Sequence, residues 1–135
     1  MKNNFVLIND LEKYKDCVIL VEGKKDVVAL NNLGFEKVYA LHKNKKAIRE
    51  RVEEIVEEIG NLKKIEFCIL TDLDEVGRKI YLQVKSILQE LGVKVDSRLR
   101  RLLIQTGVSH VEGLGRFVER AEESDFRVSK ILKTE

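Results

Sequence analysis

Proline and tryptophan are absent from the chain, and it holds only two cysteines and two histidines. The missing proline removes any proline-rich linker or boundary, and no low-complexity segment stands in for one. A single domain is therefore expected. Cys17 and Cys68 have no histidine near them in sequence and cannot build a zinc site. Both fall in apolar runs and read as buried, reduced thiols. No apolar run approaches the length that spans a bilayer. The opening residues, MKNNFVLIND, place Asp10 soon after a short apolar patch and make a poor leader, so a cytoplasmic location is expected. Tyr14, Tyr39 and Tyr81 are scattered and form no stacking platform for unpaired bases. Neither sign of charge dominates: the net charge is +2, which neither demands nor excludes a nucleic-acid partner.

The chain is 135 residues long, 36% charged and 44% hydrophobic, long enough to bury one real core. Its organisation turns on residues 69–79, ILTDLDEVGRK. An apolar run over 65–70 stops at two aspartates, Asp72 and Asp74, and Gly77 precedes an amphipathic run. A buried strand delivers carboxylates to its C-terminal edge in this way, and in open α/β sheets that edge binds ligands. Residues i and i+2 of an extended segment point the same way, so the two aspartates can hold one cation or two neighbouring ones. The competing reading is a solvated loop with an N-cap aspartate for the next helix.

The same grammar recurs along the chain. Residues 17–21 (CVILV), 37–41 (KVYAL), 65–70 (IEFCIL) and 93–95 read as strands. Residues 24–33, 45–59 and 75–91 read as helices, closed by Gly34, Gly60 and Gly92. Residues 1–16 pack on the body as a short helix or strand. After Ser97 the segment SRLRRLLI reads as a short basic helix, followed by a loop and a further helix. Strand–helix alternation predicts an α/β fold with about four parallel strands flanked by helices and right-handed crossovers. If the first and third strands are neighbours, Glu22, Asp72 and Asp74 meet at one edge. Such an oxygen set suits Mg²⁺ bound beside substrate phosphates, an apparatus for phosphodiester chemistry.

The segments VILVEGKKDVVAL and ILTDLDEVGRKI resemble the two signature segments of the Toprim domain. That domain is shared by topoisomerases, bacterial-type primases, OLD-family nucleases, recombination mediators and the 5S ribosomal RNA maturase. Glu22, Gly23 and Asp26 match the first motif; Asp72, Asp74 and Gly77 match the second. The resemblance covers about residues 17–99 and implies a Rossmann-like, three-layer Toprim fold. It gives residues 1–16 as an N-terminal extension and 100–135 as a C-terminal helical extension packed on the same domain. It also makes Glu22 the general acid/base and a metal ligand, with Asp72 and Asp74 as Mg²⁺ ligands and Mn²⁺ as a substitute ion. Asp26 orients the first loop. Topoisomerases carry a third aspartate where this chain has Glu75 and Val76. The chain also has no room for their cleavage domain or for a primase's polymerase subdomain. Similarity is greatest to small stand-alone Toprim proteins resembling the maturase. The implied function is a nuclease acting on nucleic acid, RNA ahead of DNA, with a non-catalytic scaffold or nucleotidyl transfer as alternatives.

Lys24, Lys25, Arg78, Arg98, Arg100 and Arg101 are candidate contacts to a nucleic-acid backbone. Glu112, Glu119, Glu122 and Glu123 dilute the basic tail that includes Arg116 and Arg120. His42 and His110 read as polar loop residues.

Overall fold

The computed structural model describes residues 4–60 and 65–133, with side chains for 6–60 and 65–123. The first three residues of the N-terminal extension and the last two of the C-terminal one lie outside the described residues. The element order is α1 (Asn4–Glu12), β1 (Val18–Val21), α2 (Lys24–Asn32), β2 (Val38–Ala40), α3 (Ile48–Ile59) and β3 (Glu66–Ile69). There follow α4 (Glu75–Glu90), β4 (Lys94–Asp96), α5 (Arg98–Gln105), a 3₁₀ turn (Val111–Gly113) and α6 (Leu114–Lys133). Four strands form one parallel sheet in the order β2-β1-β3-β4. This is the α/β, Rossmann-like Toprim arrangement.

The sheet is central because β1 and β3 have little that tolerates water. All of Val18, Ile19, Leu20 and Val21 are buried, as are Phe67, Cys68 and Ile69. A strand covered on both faces needs a helix layer on each side. Alternate residues supply the two layers. Ile19, Val21, Cys68 and Leu70 face Leu7 and Leu11 of α1, Leu30 of α2, Leu99, Leu102 and Leu103 of α5, and Leu114 of α6. Val18, Leu20, Phe67 and Ile69 face Val52 and Ile55 of α3 and Ile80, Val84, Ile87 and Leu88 of α4. The handedness of crossovers accounts for this division. The chain leaves β1 in one direction to make β2, so α2 covers one face. It then returns past β1 to β3 and β4, so α3 and α4 cover the other.

That reversal opens a crevice between the C-terminal ends of β1 and β3, where ligands bind in doubly wound sheets. Pairing continues to the rim: Leu70 N–H donates to Leu20 O (2.8 Å), Leu41 N–H to Val21 O (2.8 Å) and His42 N–H to Glu22 O (2.9 Å).

Most boundaries shift by a residue from the sequence reading, and two of the differences bear on the site. Helix α3 starts at Ile48 rather than at residue 45, because Asn44 and Lys45 hold φ of 53° and 56°. Two successive left-handed residues cannot open a right-handed helix. Strand β3 ends at Ile69, so the aspartates ride on the loop beyond it. Gly34 closes the turn after α2 at φ 96°, a conformation that glycine adopts freely. Both cysteines are free thiols; Cys68 is fully buried and Cys17 half-buried. Burial pushes the Cys68 thiol well above its ordinary range. Among the described residues no helix is long and apolar enough to cross a membrane.

Candidate metal centre

Glu22 follows β1 and Asp72 follows β3, and the two are joined directly. The Asp72 N–H donates to Glu22 Oε2 at 2.8 Å, across fifty residues of chain. Both acidic segments therefore lie on one rim of the sheet, beside the crevice. Asp74 is the N-cap of α4: its Oδ1 accepts from Gly77 N–H at 2.7 Å. The N-cap reading and the cation reading of Asp74 are compatible, because the cap uses one carboxylate oxygen and leaves the other.

Asp72 is held at every polar group. Its N–H is given to Glu22, and its carbonyl accepts from Arg100 Nη2 at 3.1 Å. Its Oδ1 accepts from Val111 N–H at 2.9 Å, and its Oδ2 lies 3.2 Å from His110 Nδ1. The next residue is clamped too, with Leu73 N–H donating to Ser109 O at 2.8 Å. Residues 109–111, from the C-terminal segment, thus grip the loop that carries the aspartates.

Arg100 is the second clamp. Its Nη1 donates to the Thr71 carbonyl and to Thr71 Oγ1 (2.7 Å), and its guanidinium lies over the Tyr81 ring, 4.7 Å from the centroid. Thr71 is fully buried and hands its own hydroxyl proton to Gly77 O at 2.6 Å. Gly77 has to be glycine here: a Cβ would overlap the Asp72 carbonyl oxygen and stand 2.7 Å from its carbon. Asp26, 8% exposed, accepts from Gly23 N–H at 3.1 Å and so ties the β1–α2 loop to the first turn of α2.

One ligand atom each of Asp72, Asp74 and His110 lie within 4.8 Å of one another. Two carboxylates and an imidazole at that spacing are a donor set that fits a divalent cation. Glu22 stands outside this trio, linked to it through the Asp72 amide. The remaining sequence candidates divide. Lys24, Lys25 and Arg78 are exposed in the first turns of α2 and α4, beside the rim. Arg100 faces the rim but spends its donors on Thr71 and the Asp72 carbonyl. Arg101 is exposed and donates to Ser97 Oγ at 3.0 Å. Arg98 points to the other end of β3, paired with Asp96 (2.6 Å) and Glu66 (3.8 Å).

Three site features escaped the sequence reading. His110 and the Arg100 clamp give no signal in spacing, because their partners lie far away in the chain. Lys43 and Lys45 are exposed on the β2–α3 loop, which His42 N–H anchors to Glu22 O. Their place directly after a strand end was the clue available.

The Glu22 carboxyl is pushed above the ordinary carboxylate range, chiefly by burial and then by the charges of Asp72, Asp74 and Asp26; the Asp72 N–H opposes the rise. Asp26 is raised, again by burial first. An acid whose folded pKa is raised binds its proton more tightly in the folded state. Stability then falls as pH rises from the unfolded value through the raised one. In chelator, Glu22→Gln should therefore match the wild type at about pH 4 and exceed it at neutral pH, because the amide keeps an acceptor for Asp72 N–H without the charge. Urea denaturation across pH measures this, and a variant less stable than the wild type at pH 7 contradicts it.

A family model for the Toprim domain matches residues 16–98, from just before β1 to the start of α5. A UPF0292 protein of Methanosarcina barkeri is 30% identical over 119 residues, covering 84% of this chain and 79% of that protein. A UPF0292 protein of Methanocaldococcus jannaschii is 29% identical over 108 residues, covering 76% and 78%. A solved structure of a protein from Aquifex aeolicus superposes with a TM-score of 0.67 at 30% identity, covering 83% of this chain and 98% of that one. The matched span carries Glu22, Asp72 and Asp74 at the ends of adjacent parallel strands, and the chain belongs to the Toprim domain family, whose members typically bind divalent metal and generally act on nucleic acids.

Proposed function

We propose that this protein is a divalent-metal-dependent nuclease acting on nucleic-acid phosphodiesters, RNA ahead of DNA, related to the 5S ribosomal RNA maturase and cytoplasmic. The observation that carries the reading is the 2.8 Å bond from Asp72 N–H to the Glu22 carboxylate, which joins the two acidic motifs at the switch point of the sheet. Asp72 and Asp74 would hold the divalent ion, Mg²⁺ or Mn²⁺. The ion's contribution when bound is to neutralise charge on the phosphate and to favour a nucleophilic oxygen.

The chain's own groups supply the rest. Glu22 moves the proton: it stands at the rim beside the aspartates, and its burial favours the protonated form, which suits a carboxyl to general acid/base work. Lys24, Lys25 and Arg78 flank the carboxylates on exposed helix starts and receive the phosphates on either side. Lys43 and Lys45 extend that basic rim, while Lys46 and Lys79 close by are tied to Glu54 and Glu75.

The test is direct. The purified chain is incubated with labelled structured RNA and with single- and double-stranded DNA, in Mg²⁺ or Mn²⁺. Metal-dependent cleavage is expected, falling at least about 10²-fold in Glu22→Gln and in Asp72→Asn. Retarded migration without cleavage, unchanged by Glu22→Gln, would replace this reading with a nucleic-acid-binding scaffold.

A further inference from the structure

The all-oxygen site expected from the sequence lacks one component that the fold delivers. We propose that His110 supplies a nitrogen ligand to the cation held by Asp72 and Asp74, so that the centre binds Mn²⁺-like transition metals in preference to Mg²⁺. The inference rests on the metal-site reading above and fixes the class of its ion.

Three observations carry it. First, each carboxylate has one oxygen committed to a backbone N–H. Asp72 Oδ1 takes Val111 N–H at 2.9 Å and Asp74 Oδ1 takes Gly77 N–H at 2.7 Å. The second oxygens are aimed by those bonds, which is how supporting hydrogen bonds orient metal ligands. Second, His110 Nδ1 lies 3.2 Å from Asp72 Oδ2, the second oxygen. Adjacent ligands around an ion with bonds of about 2.1 Å stand about 3 Å apart, so the hydrogen-bonded pair already has the spacing of one coordination edge, and the ion would take the place of the Nδ1 proton, which is released to solvent. Third, the imidazole is delivered on a fixed segment. Ser109 O accepts from Leu73 N–H, Val111 N–H donates to Asp72, and Val111 itself is fully buried. Residues on both sides of His110 are therefore pinned to the loop that carries the aspartates.

The ligand chemistry then sets the ion. Mg²⁺ prefers oxygen and keeps its waters. Imidazole favours first-row transition metals, and of these Mn²⁺ best tolerates a carboxylate-rich set. The His110 side chain is 61% exposed, so the imidazole stands on the solvent side of the cluster.

The experiment compares the full chain with His110→Ala, His110→Gln and Asp72→Asn. Calorimetry measures Mn²⁺ and Mg²⁺ binding, and pulsed electron paramagnetic resonance of the Mn²⁺-loaded protein reads nitrogen coupling. Circular dichroism checks that each variant is folded. The wild type should show coupling to a directly bound nitrogen, absent in His110→Ala. Mn²⁺ affinity should fall at least about tenfold in both His110 variants, with Mg²⁺ affinity changed by less than about threefold, as expected where the hard ion relies on oxygen. Mn²⁺ bound in the wild type without nitrogen coupling, or equal losses for the two ions, overturns the nitrogen ligand while leaving the carboxylate site intact. Failure of the wild type to bind Mn²⁺, or binding untouched by Asp72→Asn, overturns the metal-site reading itself.

Discussion

Replacing Gly77 by alanine should destabilise the protein by about 2–4 kcal/mol, although alanine at an open helix position stabilises by about 1 kcal/mol over glycine. The reversed sign is the informative part. Gly77 lies in the first turn of α4 with an ordinary helical backbone, so nothing conformational reserves the place for glycine. The obstacle is the Asp72 carbonyl, which occupies the space of the missing Cβ. That carbonyl cannot yield easily, because Arg100 holds it and the Asp72 N–H is held by Glu22. Thr71 further ties the loop to Gly77 O. Gly115, in α6, has nothing within 4 Å of a built Cβ. Gly115→Ala is therefore the matched control and should be neutral or stabilising by up to about 1 kcal/mol. Urea midpoints of the two variants decide the matter, and equal effects would contradict a close approach at Gly77.

The second large effect is expected at Arg100. Its guanidinium serves three acceptors, two of them on fully buried Thr71, and lies over Tyr81. Arg100→Met keeps much of the stem but strands those acceptors, and each buried orphan costs about 1–3 kcal/mol. A total loss of roughly 2–4 kcal/mol is expected, with a divalent-ion affinity lowered about 10–100-fold because Asp72 loses its support. Arg100→Lys should recover only part of either loss, since an ammonium cannot reproduce the planar fork. Burial pulls the Arg100 pKa below its ordinary value, against the favourable neighbours Tyr81, Glu22, Asp72 and Asp74. The group nevertheless stays charged at neutral pH, so its cost is met by those bonds. If Arg100→Met kept wild-type stability and ion affinity, the clamp would be irrelevant.

What could be read in advance follows from the range of each interaction. The strands were legible because β1 and β3 are buried on both faces and their apolar runs are broken only by Glu66. Helices α2, α3 and α4 were legible from periodicity, except at the start of α3, where the left-handed Asn44 and Lys45 leave no trace in hydrophobic pattern; α1 could not be told from a strand. The convergence of Glu22 with Asp72 and Asp74 could be framed but not decided, because strand order is absent from local sequence. It became fixed only when β1 and β3 proved to be neighbours. The arginines illustrate the same limit. Arg98 and Arg100 are two residues apart, about 200° around a helix, so one faces Glu66 and the other the aspartate loop. Composition alone treats them alike. His110 was legible only as a polar loop residue, since its partner lies 38 residues earlier and meets it through packing of the C-terminal segment.

In the proposed centre the ends of β1 and β3 form one cation site. A crystal of the protein soaked in Mn²⁺ tests it most directly, through the anomalous signal of the metal. A peak is expected at the C-terminal rim within bonding distance of Asp72 and Asp74 carboxylate oxygens, with Glu22 on the same side, ligating directly or through one water. An ion that binds elsewhere on the chain, with Glu22, Asp72 and Asp74 left without metal at saturating Mn²⁺, would contradict it.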